Sequence, residues 1–508
     1  VAQVSEHSPV RLRQRGLSLD AVYLFTALAF LALRPLMTPI QPHDFWWHMA
    51  TGRMIVETGT IPAVDTFSYT QAGSEFYNQG WLAQVLMYAL YNLGSLPLLI
   101  IVQALVLATA YGILLALCIR RSGALRLSVV LLLLTTLPLS FDNWQIRPQS
   151  YAFPIFAVFL YILAAWRSRG FGSERRHRLW LLPALMVVWV NLHGSFVLGG
   201  VLITLVFIGE IGLRTLGDRR LPPAERPERP PLTELLLWGG ITAAALLLNP
   251  GGVGVLSYVF NLLSSSQVTT LVQEWAPPTV RTINGMIFYL YLIFLLLIFA
   301  YTSRRPDPVD MLLLLPFLWL AFGAVRNIVW FGILAAPIVT LQLAAMLPQD
   351  RRRNQGLPLM NGLLIGLISM FLVLGLPWIK PHLGLPPQLG NLIAVDTPVE
   401  AVAELQQREP GPERLFHAMS YGSYLIWAAP DMPVFIDPRI ELYPYEQWQD
   451  YLRLSNGRNV AELIAEYRFD GMLLSKTEQA PLIAHLAEDP AWRQVYADEQ
   501  NTVFLPAR

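Results

Sequence analysis

Eleven stretches of the chain are apolar over close to the length of a bilayer crossing, and nothing else limits its fold as strongly. A helix needs about 20 apolar residues to cross the hydrocarbon core, and in lipid only helices and closed barrels satisfy their own backbone. The runs fall at Leu19–Met37, Leu96–Ile119, Leu127–Phe141, Tyr151–Trp166, Leu179–Val190, Phe196–Leu213, Leu232–Leu248, Met286–Tyr301, Met311–Val325, Ile328–Met346 and Leu359–Trp378. Those at 127–141 and 179–190 are short, and the charges around them mark them as crossings. Trp81–Leu93 is amphipathic and reads as an interfacial helix or an early start to the second crossing. Only 14% of the 508 residues are charged, against about 25% in soluble domains, which suits a lipid-facing surface.

Arginine marks the two sides. Arg11, Arg13 and Arg15 precede the first crossing, and Arg120, Arg121 and Arg126 the third. Arg167, Arg169, Arg175, Arg176 and Arg178 precede the fifth, and Arg214, Arg219, Arg220, Arg226 and Arg229 the seventh. Arg304 with Arg305, and Arg351 to Arg353, continue the rule. The intervening loops hold Arg53, Arg147, Arg281 and Arg326. A split of 21 to 4 over alternating loops predicts a cytoplasmic N-terminus and an external C-terminal part. The first run is preceded by arginines but has no small-residue cleavage site, and Arg34-Pro35 follows its apolar stretch, so it reads as a retained crossing.

From about Gly384 the composition becomes that of a soluble domain, after the linker His382-Leu383-Gly384-Leu385-Pro386-Pro387. Strands are expected at Arg414–His417, Pro433–Ile436, Gly471–Leu474 and Thr502–Leu505. Helices are expected at Pro398–Gln407, Tyr445–Leu454, Val460–Tyr467 and Gln479–Leu486. The fold expected is a polytopic all-α transmembrane bundle of about 11 spans over residues 1–380, with a first outer loop at 38–80, and a small extracytoplasmic α/β domain at 384–508. There is no basic stripe for a nucleic acid, no phosphate loop and no zinc spacing, and Cys118 is the only cysteine.

Polar clusters gather at one depth, where the topology puts the outer boundary. They are Gln41-Pro42-His43-Asp44-Phe45-Trp46-Trp47-His48, Asp142-Asn143-Trp144-Gln145-Ile146-Arg147-Pro148-Gln149, Asn191-Leu192-His193-Gly194-Ser195, Asn249-Pro250-Gly251, Glu274-Trp275 and Arg326-Asn327. Being far apart in the chain, they share a depth for no local reason, as a site at the membrane face requires. Each has a plainer reading. Trp46, Trp47, Trp81, Trp144 and Trp275 suit an aromatic belt. Arg147 and Arg326 suit snorkelling anchors, His193 a satisfied core histidine, and Asn249-Pro250-Gly251 a helix stop. Asp44 is hardest to assign to structure alone, because it follows a crossing closely and has His43 beside it and His48 one turn on.

At these residues the chain resembles the GT-C class of membrane glycosyltransferases, most of all the broad bacterial RgtA/B/C/D-like, mannosyltransferase-like group. The resemblance covers nearly the whole chain. Its specific parts are Asp44-Phe45-Trp46-Trp47-His48, Gly59-Thr60-Ile61-Pro62, Asp65-Thr66-Phe67-Ser68, Arg147-Pro148-Gln149, Asn191-Leu192-His193-Gly194, Asn249-Pro250, Glu274-Trp275 and Arg326-Asn327. Gly422-Ser423-Tyr424-Leu425-Ile426-Trp427 and Phe435-Ile436-Asp437-Pro438-Arg439 match in the C-terminal part. The resemblance implies an enzyme of the bacterial cytoplasmic (inner) membrane that passes a sugar from a polyprenyl-phosphate carrier to an acceptor at the outer face. It makes Asp44 the first-loop acid, a general base or a ligand of a divalent metal such as Mg or Mn. The Asp-Glu pair of protein O-mannosyltransferases and the Trp-Trp-Asp-Tyr-Gly of oligosaccharyltransferases are absent, which favours a lipid or glycan acceptor over a protein.

The residue chemistry points the same way. An acceptor hydroxyl must lose a proton as it attacks the anomeric carbon, and a carboxylate can take it. A lipid phosphate leaves as a stable anion and needs cations, which Arg147 and Arg326 carry as planar forks. The candidate catalytic residues are Asp44, His48 and Glu274. Candidate substrate contacts are Arg147, Gln149, Asn191, His193, Arg326, Asp437 and Arg439, the last two also reading as a local ion pair. Asp44 with Glu274 leaves a hydrolase open. The rival from another class is a non-catalytic lipid or glycan transporter or membrane assembly protein, which would place polar groups at mid-membrane on broken helices.

Overall fold

A computed structural model of the chain describes residues 17–167, 178–217, 222, 227, 229–264, 273–347 and 357–507. All eleven apolar runs are helical, as 11 runs of such length must be if lipid surrounds them. Six helical stretches are long and apolar enough to cross a membrane: Leu19–Met37, Trp81–Ser122, Pro148–Arg167, Gly194–Gly217, Ile283–Tyr301 and Val325–Met346. The other runs form shorter apolar helices of 10–17 residues. The helices that position the site are α1 (Leu19–Met37), α2 (Asp44–Thr58), α3 (Trp81–Ser122), α4 (Leu125–Leu131), α5 (Pro148–Arg167), α6 (Leu181–Leu192), α7 (Val197–Gly212), α8 (Leu232–Ala245) and α9 (Gly254–Ser264). After them come α10 (Ile283–Tyr301), α11 (Pro308–Gly323), α12 (Ile328–Met346) and α13 (Pro358–Leu374).

Two irregularities shape the bundle. The amphipathic stretch from Trp81 and the second apolar run form one α3 of 42 residues, bent where Gly94 and Ser95 leave helical geometry. A Gly-Ser pair followed two residues on by Pro97 is a sufficient cause, since proline removes a helix hydrogen bond and crowds the carbonyl four residues back. In the next run, Pro138 interrupts in the same way. α4 widens into a π-turn at Leu132–Thr136, with Leu137 N–H donating to Leu132 O, and then tightens into a 3-10 turn at Pro138–Asn143. That turn carries the chain to Arg147 at the head of α5.

α5 is 20 residues long, so its two ends are about 30 Å apart. At the end remote from Arg147, Arg167 pairs with Glu210 at 2.8 Å and Asp307 at 3.0 Å, and Arg121 pairs with Asp310 at 2.5 Å. These pairs tie α3, α5, α7 and the start of α11 together. Arg11, Arg13, Arg15, Arg169, Arg175, Arg176, Arg219, Arg220, Arg226 and Arg351 to Arg353, which carry much of the side assignment, lie outside the described residues.

The C-terminal part holds α14 (Val399–Gln406), α15 (Met419–Ala428), α16 (Tyr445–Ser455), α17 (Val460–Tyr467) and α18 (Ala480–Glu488) around a four-stranded sheet. Its strands are β1 (Leu415–His417), β2 (Gly471–Ser475), β3 (Trp492–Ala497) and β4 (Asn501–Pro506), in the order β1-β2-β4-β3. β1 and β2 are parallel and the other pairs antiparallel. The expected strand at Pro433–Ile436 does not join this sheet. It pairs instead with the segment that follows α2, with Val434 N–H on Phe67 O at 2.9 Å and Tyr69 N–H on Val434 O at 3.2 Å. The edge strand β3 was not expected, because its half-exposed Trp492–Ala497 segment carries no apolar run.

The two parts share a core. Phe45, Trp46, Trp47 and Met49 of α2 pack in one cluster with Tyr421, Tyr424, Leu425 and Phe435. Trp46 is 2% exposed, Trp47 8% and Trp144 6%, so these three do not form an aromatic belt. Each buried indole removes roughly 150–250 Å² from water, an upper bound of about 4–6 kcal/mol of apolar transfer. α15 fits against α2 through Ser423, whose Oγ accepts from Trp47 N–H at 3.0 Å. On another side of α15, Gly422 lets the helix pack on the Ile436–Asp437 segment, since a Cβ there would stand 2.3 Å from Ile436 O.

Candidate active site

The chain leaves α1 through an extended link, in which Ile40 N–H donates to Leu392 O and Ala394 N–H to Ile40 O. It then enters α2 at Asp44. A carboxylate in the first turn of a helix is favoured by the unpaired backbone N–H groups there. Asp44 Oδ2 lies 3.6 Å from Arg147 Nη1. The same Nη1 donates to Glu274 Oε2 at 3.0 Å, and Glu274 Oε1 pairs with Arg326 Nη1 at 3.2 Å. Asp44, Arg147, Glu274 and Arg326 thus form an alternating ladder of charge. Arg326 sits on a 3-10 turn joined to the Glu274 segment by Val325 N–H on Ala276 O, and its guanidinium lies 4.3 Å from the Trp275 ring centroid. Asn143 Oδ1 accepts from Arg147 Nη2 at 3.5 Å and from Gln149 Nε2 at 3.3 Å, which places Gln149 beside the ladder.

Both candidate histidines stand next to the ladder, and hydrogen bonds assign their tautomers. Ser195 N–H donates to His193 Nδ1 at 3.1 Å, so that nitrogen is an acceptor and the proton is on Nε2. Gln84 Oε1 accepts from Asn78 at 2.7 Å, which turns Gln84 Nε2 towards His48 Nδ1 at 3.0 Å. His48 therefore also carries its proton on Nε2. Burial, then the positive charges of Arg326 and Arg147, lowers the His193 pKa to about 3. Burial, His193, Arg147 and Arg439 hold His48 well below the ordinary range. Both rings are neutral donors at physiological pH.

The two carboxylates are pushed apart. Burial raises the Asp44 pKa, and Glu274 adds to this against the opposing pull of Arg147. Burial would raise Glu274 too, but Arg147 and Arg326 outweigh it and bring its carboxyl to about 2. Environments that separate two acids in this way also separate their roles. Glu274 is a permanent anion that holds two arginines, and Asp44 is the better proton acceptor. Because both touch one nitrogen of Arg147, the cation fills the gap that a glycosidase keeps open for its sugar.

Three expected contacts are not brought to the ladder. Asn191 Nδ2 donates to Val187 O and Leu248 O, and its Oδ1 accepts from Trp81 Nε1, so it staples α6 to the end of α8 and to α3. Asp437 and Arg439 are 0% and 3% exposed. Arg439 pairs with Asp437 at 2.5 Å and with Asp65 at 2.8 Å, and Tyr443 also donates to Asp437. This triad clamps the C-terminal part to the segment that follows α2. The nearest charged partner of Asp44 is the Arg147 guanidinium, with the Glu274 carboxylate on the same nitrogen. Among the described residues no three His, Cys, Asp or Glu side chains are grouped to hold a metal.

One acid was not anticipated. Glu441, on the 3-10 turn Ile440–Leu442, is open to solvent yet close enough to Asp44 for their charges to interact. No local signal marks it, since it lies 397 residues from Asp44 and comes near it only through the fold of the C-terminal part.

No family model and no curated protein matches the chain. Solved structures do. The oligosaccharyltransferase of Archaeoglobus fulgidus in its apo form aligns with a TM-score of 0.51 at 12% identity, over 96% of this chain and 74% of its own. AglB from Archaeoglobus fulgidus, in complex with an inhibitory peptide and a dolichol-phosphate, gives 0.50 at 11% identity, over 96% and 74%. ArnT from Cupriavidus metallidurans bound to undecaprenyl phosphate gives 0.51 at 12% identity, over 95% and 97%. At these identities the likeness is one of fold: the chain has a GT-C-like fold.

Proposed function

We propose that this chain is a membrane glycosyltransferase that moves a sugar from a polyprenyl-phosphate donor to a lipid or glycan acceptor at the outer face of the bacterial cytoplasmic membrane. The observation that carries the reading is the ladder itself, in which two carboxylates, Asp44 the more basic, and two arginine forks from four distant segments meet at one end of the bundle. Asp44 takes the proton of the acceptor hydroxyl as its oxygen attacks the anomeric carbon. The bond from that carbon to the phosphate oxygen breaks, and the lipid phosphate leaves as an anion onto Arg147 and Arg326. His193 adds an Nε2–H donor beside them. The phosphate must displace Glu274 from one or both arginines, so donor binding rearranges the ladder.

Two of the fold neighbours bind dolichol-phosphate and undecaprenyl phosphate, which supports a polyprenyl-phosphate carrier here. A transporter is disfavoured because the ladder sits at a helix end, whereas transport sites lie near mid-membrane. Asp44→Asn tests the reading, because it keeps the shape and removes the proton acceptor. Full-length protein in lipid nanodiscs should lose turnover by about 10²-fold or more. Binding of undecaprenyl phosphate should persist. Near-normal turnover would remove Asp44 from the mechanism.

A further inference from the structure

The Asn249-Pro250-Gly251 segment is built around a single hydroxyl. Tyr77 O–H donates to Asn249 Oδ1 at 3.3 Å, and Gly251 N–H donates to the same oxygen at 2.8 Å. Asn249 Nδ2 closes the turn on Leu246 O at 2.6 Å and Gly252 O at 2.9 Å. A Cβ on Gly251 would stand 2.1 Å from the Tyr77 hydroxyl, so glycine is required for the phenol to lie there. A helix stop needs no such cradle. Directly after the turn, α9 lays Tyr258 on Tyr77, with ring centroids 4.8 Å apart and planes at 29°. Both rings are half-buried, and the Tyr258 hydroxyl lies on the side of the ring pair that faces the Glu441 carboxyl. Glu441 in turn is held by the turn that follows the buried Asp65–Arg439–Asp437 triad.

Three segments far apart in the chain therefore converge on an aromatic pair with a carboxyl beside it, near enough to Asp44 for the two charges to interact. None of these groups has a part in the proton transfer or in phosphate departure. Their chemistry is that of sugar recognition, in which the C–H face of a pyranose lies on an aromatic ring and a carboxylate takes its hydroxyls. We propose that Tyr77, Tyr258 and Glu441 form a pyranose-binding subsite beside the ladder. This rests on the transferase reading for its purpose, though not for its chemistry. The pyranose comes from the acceptor or from the sugar being transferred.

The test uses full-length protein in nanodiscs and two sets of probes: methyl glycosides of common hexoses, and the same hexoses as 1-phosphates. Saturation-transfer NMR should detect at least one methyl glycoside on the unaltered protein. Glu441→Gln should weaken it about tenfold, the scale of a lost charged hydrogen bond. Tyr258→Ala should abolish it, and Tyr258→Phe should keep part of it. Thermal melting of each variant separates loss of the subsite from loss of the fold. If the variants weaken methyl glycosides and spare the 1-phosphates, the subsite takes the acceptor; if they weaken both, it takes the transferred sugar. Absence of any glycoside signal, or equal binding by folded Glu441→Gln and Tyr258→Ala, overturns the proposal. Glycoside binding that responds to these variants in a protein without transferase activity would leave the subsite standing and remove the transferase reading.

Discussion

Glu274→Gln should make the protein bind a lipid phosphate more tightly while making it less stable. Glu274 lies 3.0 Å from Arg147 Nη1 and 3.2 Å from Arg326 Nη1, so it occupies the two forks that a phosphate would need. Its pKa falls from 4.5 to about 2 against the opposing effect of burial, under the pull of Arg147 and then Arg326. At 1.36 kcal/mol per pH unit this is roughly 3 kcal/mol, and screening at a side chain 32% exposed reduces it to about 1–2 kcal/mol. An incoming phosphate must overcome that attraction, and the glutamine amide offers far less. The expected gain is about 5–30-fold in Kd for undecaprenyl phosphate, measured by native mass spectrometry or titration in nanodiscs. The stability effect has a defined pH window. A depressed carboxyl stabilises the fold fully above its unfolded value of 4.5 and loses that contribution as pH falls towards 2. The melting temperatures of the two proteins should therefore differ at pH 7 and converge in strong acid. Weaker or unchanged phosphate binding by a folded Glu274→Gln protein would show that the arginines are not the phosphate site, or that Glu274 does not guard it.

Arg147→Lys and Arg326→Lys keep a charge but lose the planar fork, so both should weaken undecaprenyl phosphate and slow transfer by about tenfold or more in protein that still inserts; unchanged binding in both would make them anchors. Asp65→Ala leaves Arg439 buried with one carboxylate where it had two, and should cost about 3–5 kcal/mol, seen as a lower melting temperature and faster proteolysis between the first outer loop and the C-terminal part. An unaltered melting profile would mean the triad does not hold the two together. With Cys118 replaced, single cysteines placed in 57–74 and 437–447 should label from outside only, and those in 168–177 from inside only; labelling of 437–447 from the cytoplasm would reverse the orientation.

Much of the site was legible because its residues stand out against their surroundings. Asp44, Arg147, Glu274 and Arg326 are charges at the edges of apolar helices, where a charge is expensive unless it has a partner or a task. Their common depth followed from counting crossings, and the structure brings all four together. Trp46 and Trp47 were misread because an aromatic pair at a membrane edge looks the same whether lipid or protein covers it. Here the C-terminal part covers it. Asp437 and Arg439 were legible as an ion pair. Their third partner, Asp65, was not, because the sequence separation between Asp65 and Arg439 leaves no periodicity to read.

By itself the sequence determined that the chain is a bundle of apolar helices followed by a mixed α/β segment. Backbone satisfaction in lipid and hydrophobic periodicity act within one segment, and a segment carries that information alone. Only the tertiary structure decided that Pro433–Ile436 leaves its own sheet to pair with the segment after α2, that Glu274 pairs with both arginines, and that Tyr258 stacks on Tyr77. Those outcomes depend on which of several partners a strand edge, a guanidinium or a carboxyl reaches first in space. That choice is made by packing between segments hundreds of residues apart, where Gly422 and Gly251 leave room for one arrangement and a Cβ would close it.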